Sequence, residues 1–236
     1  MKLVTAVLIF VAGFAPAAGA QTLTFNPTGS AFVSQDNPSN NYGGAGALEV
    51  SATGSTKGIF YSLMQFNLSA AEGLDISSIT LKLTSANPNN GIFNSSTNGE
   101  FSVIWMDNSS WTSGTGTPMG SSTNGITYNS LPNYLDGGDE TIGTFNFAGG
   151  TSGANTYTLS LQSDFLNAVT SGSEISLEVA PDDTQVSYLF NSENNTTAGN
   201  RPLLTITTVP EPATVTLAEV GLLGLAGGWR KWRRRR

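Results

Sequence analysis

Ile79-Thr80-Leu81-Lys82-Leu83-Thr84 alternates apolar and polar residues without a break. A period of two puts Ile79, Leu81 and Leu83 on one face of an extended strand and Thr80, Lys82 and Thr84 on the other. The pattern recurs at Ile175-Ser176-Leu177-Glu178-Val179-Ala180 and again around Leu204 and Ile206. Clusters of Gly, Ser, Thr, Asn and Asp, the residues that turns demand, bound each stretch. Working outward, similar short runs fall at 23–26, 31–34, 47–51, 59–67, 76–83, 100–106, 143–147, 156–161, 174–180, 185–191 and 203–209. Many short strands separated by turn chemistry predict an all-β fold, an antiparallel sandwich or a barrel. One short helix is expected: Ser163 caps Asp164 to Thr170, Gly172 follows its end, and Leu161, Phe165 and Val169 share its apolar face. The stretch from Asn108 to Gly138, with Pro118, Pro132 and many Gly and Ser residues, reads as a long loop. Loops of that length in a compact domain are often functional.

The two ends have a different character. Met1 to Ala20 carries Lys2, an apolar stretch from Leu3 to Phe14, and Ala18-Gly19-Ala20 before Gln21. That order predicts a secretory signal helix at 1–20, cut between Ala20 and Gln21. At the other end, Pro210-Glu211-Pro212 precedes an apolar run from Ala213 to Gly228 and a basic terminus of Arg230, Lys231, Arg233, Arg234, Arg235 and Arg236. An apolar run with a basic end predicts a membrane helix whose terminus stays cytoplasmic. Glu219 lies inside it, and a carboxylate at the centre of a span costs about 2.5–3.5 kcal/mol. Such a segment suits transient anchoring. The organisation expected is thus a signal peptide at 1–20, an all-β domain at 21–208 and a membrane tail at 209–236.

Between Gln21 and Val209 the chain has three basic residues, Lys57, Lys82 and Arg201, against fifteen acidic ones. The formal charge of that region is therefore −12, where the whole chain carries −7. Nucleic acid is excluded as a partner, because phosphate binding needs clustered Lys and Arg. Anionic polysaccharides are disfavoured on the same ground, while neutral glycans and divalent cations stay open. The chain contains no Cys and no His. Thiol chemistry, Ser-His-Asp catalysis and His-ligated zinc are excluded with them.

Three groups of side chains are candidate sites. Tyr42, Trp111 and Tyr128 are candidate glycan contacts, since an aromatic face against the apolar face of a pyranose is the physical basis of sugar stacking. Trp105 and Trp111 have another reading, the first as core within Phe101–Trp105 and the second as a tether holding the loop to the sheet. Oxygen-rich loops make Asp36, Asp136, Asp139, Asp182 and Asp183 candidate ligands of a structural calcium ion. Ordinary turn chemistry also accounts for these loops, and no other cofactor is implied. Paired carboxylates among Glu178, Asp182 and Glu193 are the one route left to glycoside hydrolysis without histidine; no residue is assigned a catalytic role.

The tail, with Pro210, Glu211 and Pro212 ahead of the apolar run and Arg233 to Arg236, resembles the PEP-CTERM sorting signal of bacterial exported proteins. The resemblance implies export machinery and an exosortase-type processing enzyme as partners, with membrane contact through the tail before processing. It also implies a destination in the cell envelope or extracellular matrix. A second resemblance runs along the domain itself. Asn40-Asn41-Tyr42-Gly43-Gly44, Ser62-Leu63-Met64-Gln65-Phe66-Asn67-Leu68, Ser110-Trp111-Thr112-Ser113-Gly114, Gly125-Ile126-Thr127-Tyr128 and Arg201-Pro202-Leu203-Leu204 together resemble a DNRLRE-type domain. Such domains are β-sandwiches of jelly-roll type on secreted and surface proteins, and some bind polysaccharides. This chain has Gln65 and Asn67 where the family tends to place a basic residue and an Asp, and Ser192 where it often has Arg. The reading reached from sequence is an exported, non-catalytic structural domain of the cell surface or matrix. The alternative is a carbohydrate-binding module for a neutral polysaccharide, which predicts exposed aromatic residues on one face. A glycoside-active enzyme is third.

Overall fold

The computed structural model describes residues 19–52, 58–88 and 95–210. The signal stretch through Ala18 and everything from Glu211 onward, including Pro212 and Arg233 to Arg236, lie outside the described residues. Among those described, no helix is long and apolar enough to cross a membrane.

Among the described residues eleven strands form, each overlapping one expected from the alternation. They are β1 (Thr22–Phe25), β2 (Gly29–Ser34), β3 (Ala47–Ser51), β4 (Phe60–Asn67), β5 (Ile76–Thr84), β6 (Gly99–Met106), β7 (Glu140–Phe147), β8 (Ala154–Leu159), β9 (Glu174–Pro181), β10 (Ser187–Asn191) and β11 (Leu203–Thr208). Among the described residues one α-helix forms, α1 (Ser163–Thr170), between β8 and β9. A four-stranded sheet runs β1-β11-β5-β8, and a seven-stranded sheet runs β10-β3-β4-β9-β6-β7 with β2 also paired to β4. Every pairing is antiparallel. The β3–β10 pair links the sheets: β3 meets β4 at Ser51 and Phe60, and β10 meets the extension of β5 at Phe190 and Ser85. Ile79, Leu81, Leu83, Leu204 and Ile206 of the small sheet share one core with Met64, Phe66, Val103, Leu177 and Val179 of the large sheet. Two antiparallel sheets around one core make a β-sandwich.

The helix departs from expectation at its start. Ser163 is its first residue and gives no side-chain cap. The Glu140 carboxylate on β7 instead accepts the Phe165 N–H at 3.1 Å, satisfying one of the free donors of the first turn. Phe165 and Val169 are buried, but Leu161 precedes the helix and stays exposed. Gly172 follows at φ +70°, a left-handed position that suits glycine.

A larger departure concerns the outer face of the large sheet. Alternation along β9 predicts Ser176, Glu178 and Ala180 on a solvent face, yet all three are buried. The reason is a second apolar layer. Ala31, Val33, Leu63 and Met106 on that face pack against Trp111, Ile126 and Leu131 from the long loop. The loop lies over the sheet as a cover.

Two polar residues fasten it. Asn41, fully buried, donates through Nδ2 to the carbonyls of Ser113 and Ile126 and accepts at Oδ1 from the N–H groups of Gly43 and Gly116. The backbones here pass too closely for a side chain: a Cβ at Gly43 would sit 1.8 Å from the Ser113 carbonyl oxygen. At the base, Asp139 accepts the N–H of Asp107 and that of Asp136, both at 3.0 Å, tying the loop's two ends together.

Candidate functional site

Where the cover ends, the outer face of the large sheet opens as a groove of about 480 Å³. Tyr61 of β4, Glu178 and Ala180 of β9, and Ser102 and Ile104 of β6 line it from the sheet. Tyr128, Leu131, Pro132 and Leu135 line it from the loop, and Thr141, Pro181 and Asp182 complete it. Strand register explains the assembly, because Leu63, Glu178, Ile104 and Thr141 pair across four neighbouring strands. Residues directly opposite one another in a ladder share a face. Leu63 lies under the cover and Ile104 in the open, so Glu178 sits at the boundary.

The rings of Tyr61 and Tyr128 stack with centroids 6.1 Å apart and planes 13° from parallel. Both tyrosines are half-buried, and together they make an aromatic strip along one side of the groove. Opposite runs a polar line. Ser102 Oγ donates to Asp182 Oδ2 at 3.0 Å and lies 3.0 Å from Thr144 Oγ1. Glu178 is 4% exposed, and its carboxylate accepts no hydrogen bond from a described residue. Burial pushes it up to about 7, and the charge of Asp139 adds to the shift. Burial likewise raises the Tyr61 phenol, with contributions from Tyr128 and Glu178.

No described residue lining the groove is basic. Lys82 gives its ammonium to the Gly199 carbonyl, and Arg201 gives Nε–H to the Asn195 carbonyl. The arrangement therefore offers apolar ring surface beside several hydrogen-bond acceptors, in a channel without positive charge. That suits a ligand with C–H faces and many donors.

The aromatic candidates separate. Tyr128 lines the groove. Tyr42 is 2% exposed and stacks on Phe32 at 4.4 Å inside the main core. Trp111 is 3% exposed and donates Nε1–H to Ser176 Oγ at 2.9 Å beneath the cover. Neither Tyr42 nor Trp111 presents a ring to a ligand, because each fills a packed interior. Trp105 is buried in the main core against Phe165. Tyr61 was hidden in sequence within an apolar strand; its parity was the available signal. It faces the side of β4 opposite Phe60, Met64 and Phe66.

The acidic candidates are dispersed. Asp36 is exposed. Asp136 Oδ1 accepts the Gly138 N–H at 2.7 Å, and Asp139 closes the loop base. Asp183 accepts N–H groups from Glu100, Gln185 and Val186, which hold its carboxyl below the ordinary range. Among the described residues, no group of three or more acidic side chains is placed to hold a metal ion. Of the paired carboxylates, Glu178 and Asp182 both line the groove. Four residues of strand separate them by roughly 13 Å, beyond the ~5–9.5 Å of hydrolytic pairs. Glu193 is held elsewhere, accepting the N–H and hydroxyl of Ser30.

Two further features were not anticipated. Glu49 on β3 is 1% exposed; Ser187 Oγ donates to one carboxylate oxygen at 3.1 Å, and the other has no partner. Burial pushes it up to about 8. A second cleft of about 500 Å³ is lined by Asn87, Asn191, Asn195 and Asn200 among others. Its described lining residues include no aromatic side chain; Asn191 donates its amide to the Thr84 carbonyl, and Asn195 donates to Asn191 Oδ1.

Comparison with known proteins gives one family: the model described as CBM96, carbohydrate-binding module family 96, matches residues 21–208. The match spans the whole sandwich. A search of the curated proteins finds no match.

Proposed function

Because this chain belongs to carbohydrate-binding module family 96, we propose that its sandwich binds a polysaccharide in the groove bounded by Tyr61 and Tyr128. The observation that carries this reading is the ring pair lying alongside the acceptors Glu178, Asp182 and Ser102. A sugar ring laid on the aromatic strip would place hydroxyl groups toward those acceptors, dividing its apolar and polar surfaces as the groove divides them. Two acids and no base in the lining disfavour uronates and sulfated glycans. The reading therefore takes a glycan without acidic groups, and the module itself is non-catalytic.

Glycan-array screening of the full chain, followed by titration with the best oligosaccharide, tests it. Selective binding that Tyr128→Ala weakens supports the groove. Binding that survives both Tyr61→Ala and Tyr128→Ala in a folded protein moves the site elsewhere.

The ends of the chain complete the proposal. The signal stretch before Gln21 and the Pro210-Glu211-Pro212 tail point to export, to exosortase-type processing and to a cell-envelope or matrix destination. A jelly-roll sandwich with a sugar groove would there serve as a polysaccharide contact of the surface, which unites the structural and binding readings. Co-expression with an exosortase and mass measurement of the mature chain tests the tail. Loss of 213–236 is expected; a full-length terminus would contradict processing.

A further inference from the structure

Resting on the carbohydrate reading, we propose that the groove takes a sugar bearing a free amine, a 2-amino-2-deoxy residue whose ammonium group sits against Glu178. The argument begins with the unmet acceptor. A carboxylate buried to this depth ordinarily has a partner, since an unpaired buried charge costs several kcal/mol. Glu178 has none among the described residues. It faces the groove, and Tyr61 from β4 with Tyr128 and Asp139 from the loop side surround it with acidic or neutral groups only; Asp182 is a second acid of the lining, farther along the chain. A hydroxyl would supply one hydrogen bond but leave the repulsion from Asp139 in place. An ammonium supplies three donors and the missing positive charge at once.

The aromatic strip favours a sugar over a simple cation. Its rings provide the flat apolar contact that a pyranose needs, and they also attract positive charge over their faces. The acidic domain around it, −12 between Gln21 and Val209, would raise the encounter rate of a cationic polymer at low salt. Glu178 is largely protonated at about pH 6, given its raised value of about 7. Seating an ammonium beside it would stabilise the ionised form and release a proton.

The test is calorimetric titration of the full chain with four tetrasaccharides: glucosamine, its N-acetylated form, a neutral glucan and a galacturonate. Oligolysine is the fifth probe. At about pH 6 the free-amine oligomer is expected to bind at least ~10-fold more tightly than its acetylated form. Titrations in buffers of different ionisation enthalpy should show proton release on binding, and Glu178→Gln should abolish both the preference and the release. Asp182→Asn, at an exposed position, should halve the preference or more, and it keeps the test open should Glu178→Gln fold poorly. Equal affinity for the amine, acetylated and neutral oligomers would overturn the amine proposal and leave the carbohydrate reading standing. Tighter binding of galacturonate, or oligolysine binding as tightly as the amino sugar, would overturn it too. Binding of none of the sugars would remove both readings.

Discussion

Tyr61 of the sheet and Tyr128 of the loop stack 6.1 Å apart, 13° from parallel, although they come from different layers of the structure. The groove exists because the loop brings the second ring to the first. Each ring also supports the other. Alanine at either position should weaken binding of a groove ligand by about 5- to 10-fold, the equivalent of 1–1.4 kcal/mol for an aromatic contact. Isothermal titration with the preferred oligosaccharide measures it directly.

Trp111 should behave in the opposite way. Its indole N–H is committed to Ser176 beneath the cover. Trp111→Phe keeps most of the packing and removes that hydrogen bond, so the domain should lose about 1 kcal/mol of stability. Ligand affinity should be unchanged within about 2-fold, since Trp111 is not itself among the residues lining the groove. Urea unfolding paired with titration separates the two effects, and a large loss of affinity at unchanged stability would place Trp111 in the site.

Asn41 is the most consequential single side chain of the cover. Asn41→Ala would strand two carbonyls and two N–H groups that it now satisfies. A loss of about 2–4 kcal/mol is expected, allowing for partial rescue by water. Amide hydrogen exchange should rise first across the loop between Asp107 and Asp139, before the strands respond.

Stability should fall as pH rises from about 5 to about 8. Burial lifts Glu49 from 4.5 to about 8, and Glu178 and Glu193 each to about 7. A carboxyl whose folded value is raised binds its proton more tightly in the folded state. Its contribution is therefore complete below the unfolded value and lost as pH climbs through the folded one. Glu49 is almost wholly buried, so its share is on the order of a few kcal/mol. Thermal melts across this range should show the decline, and Glu49→Gln should flatten it. A flat profile in the parent protein would contradict these shifts.

The strands were legible in the sequence because alternation records which face is buried. Ile79, Leu81 and Leu83 needed nothing more. The cover was not legible, because Ser176 and Glu178 have the composition of a solvent face and yet lie beneath a loop. Periodicity reports the pattern along one strand; it carries no information about what lies on top. The same limit explains the aromatic candidates. Tyr42 and Trp111 sit among loop residues and look accessible, but Gly43, Gly114 and Gly116 let the backbones close tightly around them. Tyr61 sits in an apolar strand and looks like core, but its side chain points to the outer face. The tail and signal stretches were read by the order of their parts, which no fold of the domain alters.

The fastening of the cover has a consequence for how the domain comes into being. In a chain without cysteine, Asn41 and Asp139 do by hydrogen bonding what a cross-link would do by covalent chemistry. Such a closure is reversible and independent of redox conditions. A domain opened by heat or denaturant should close again in reducing buffer as readily as in oxidising buffer, with no oxidoreductase required.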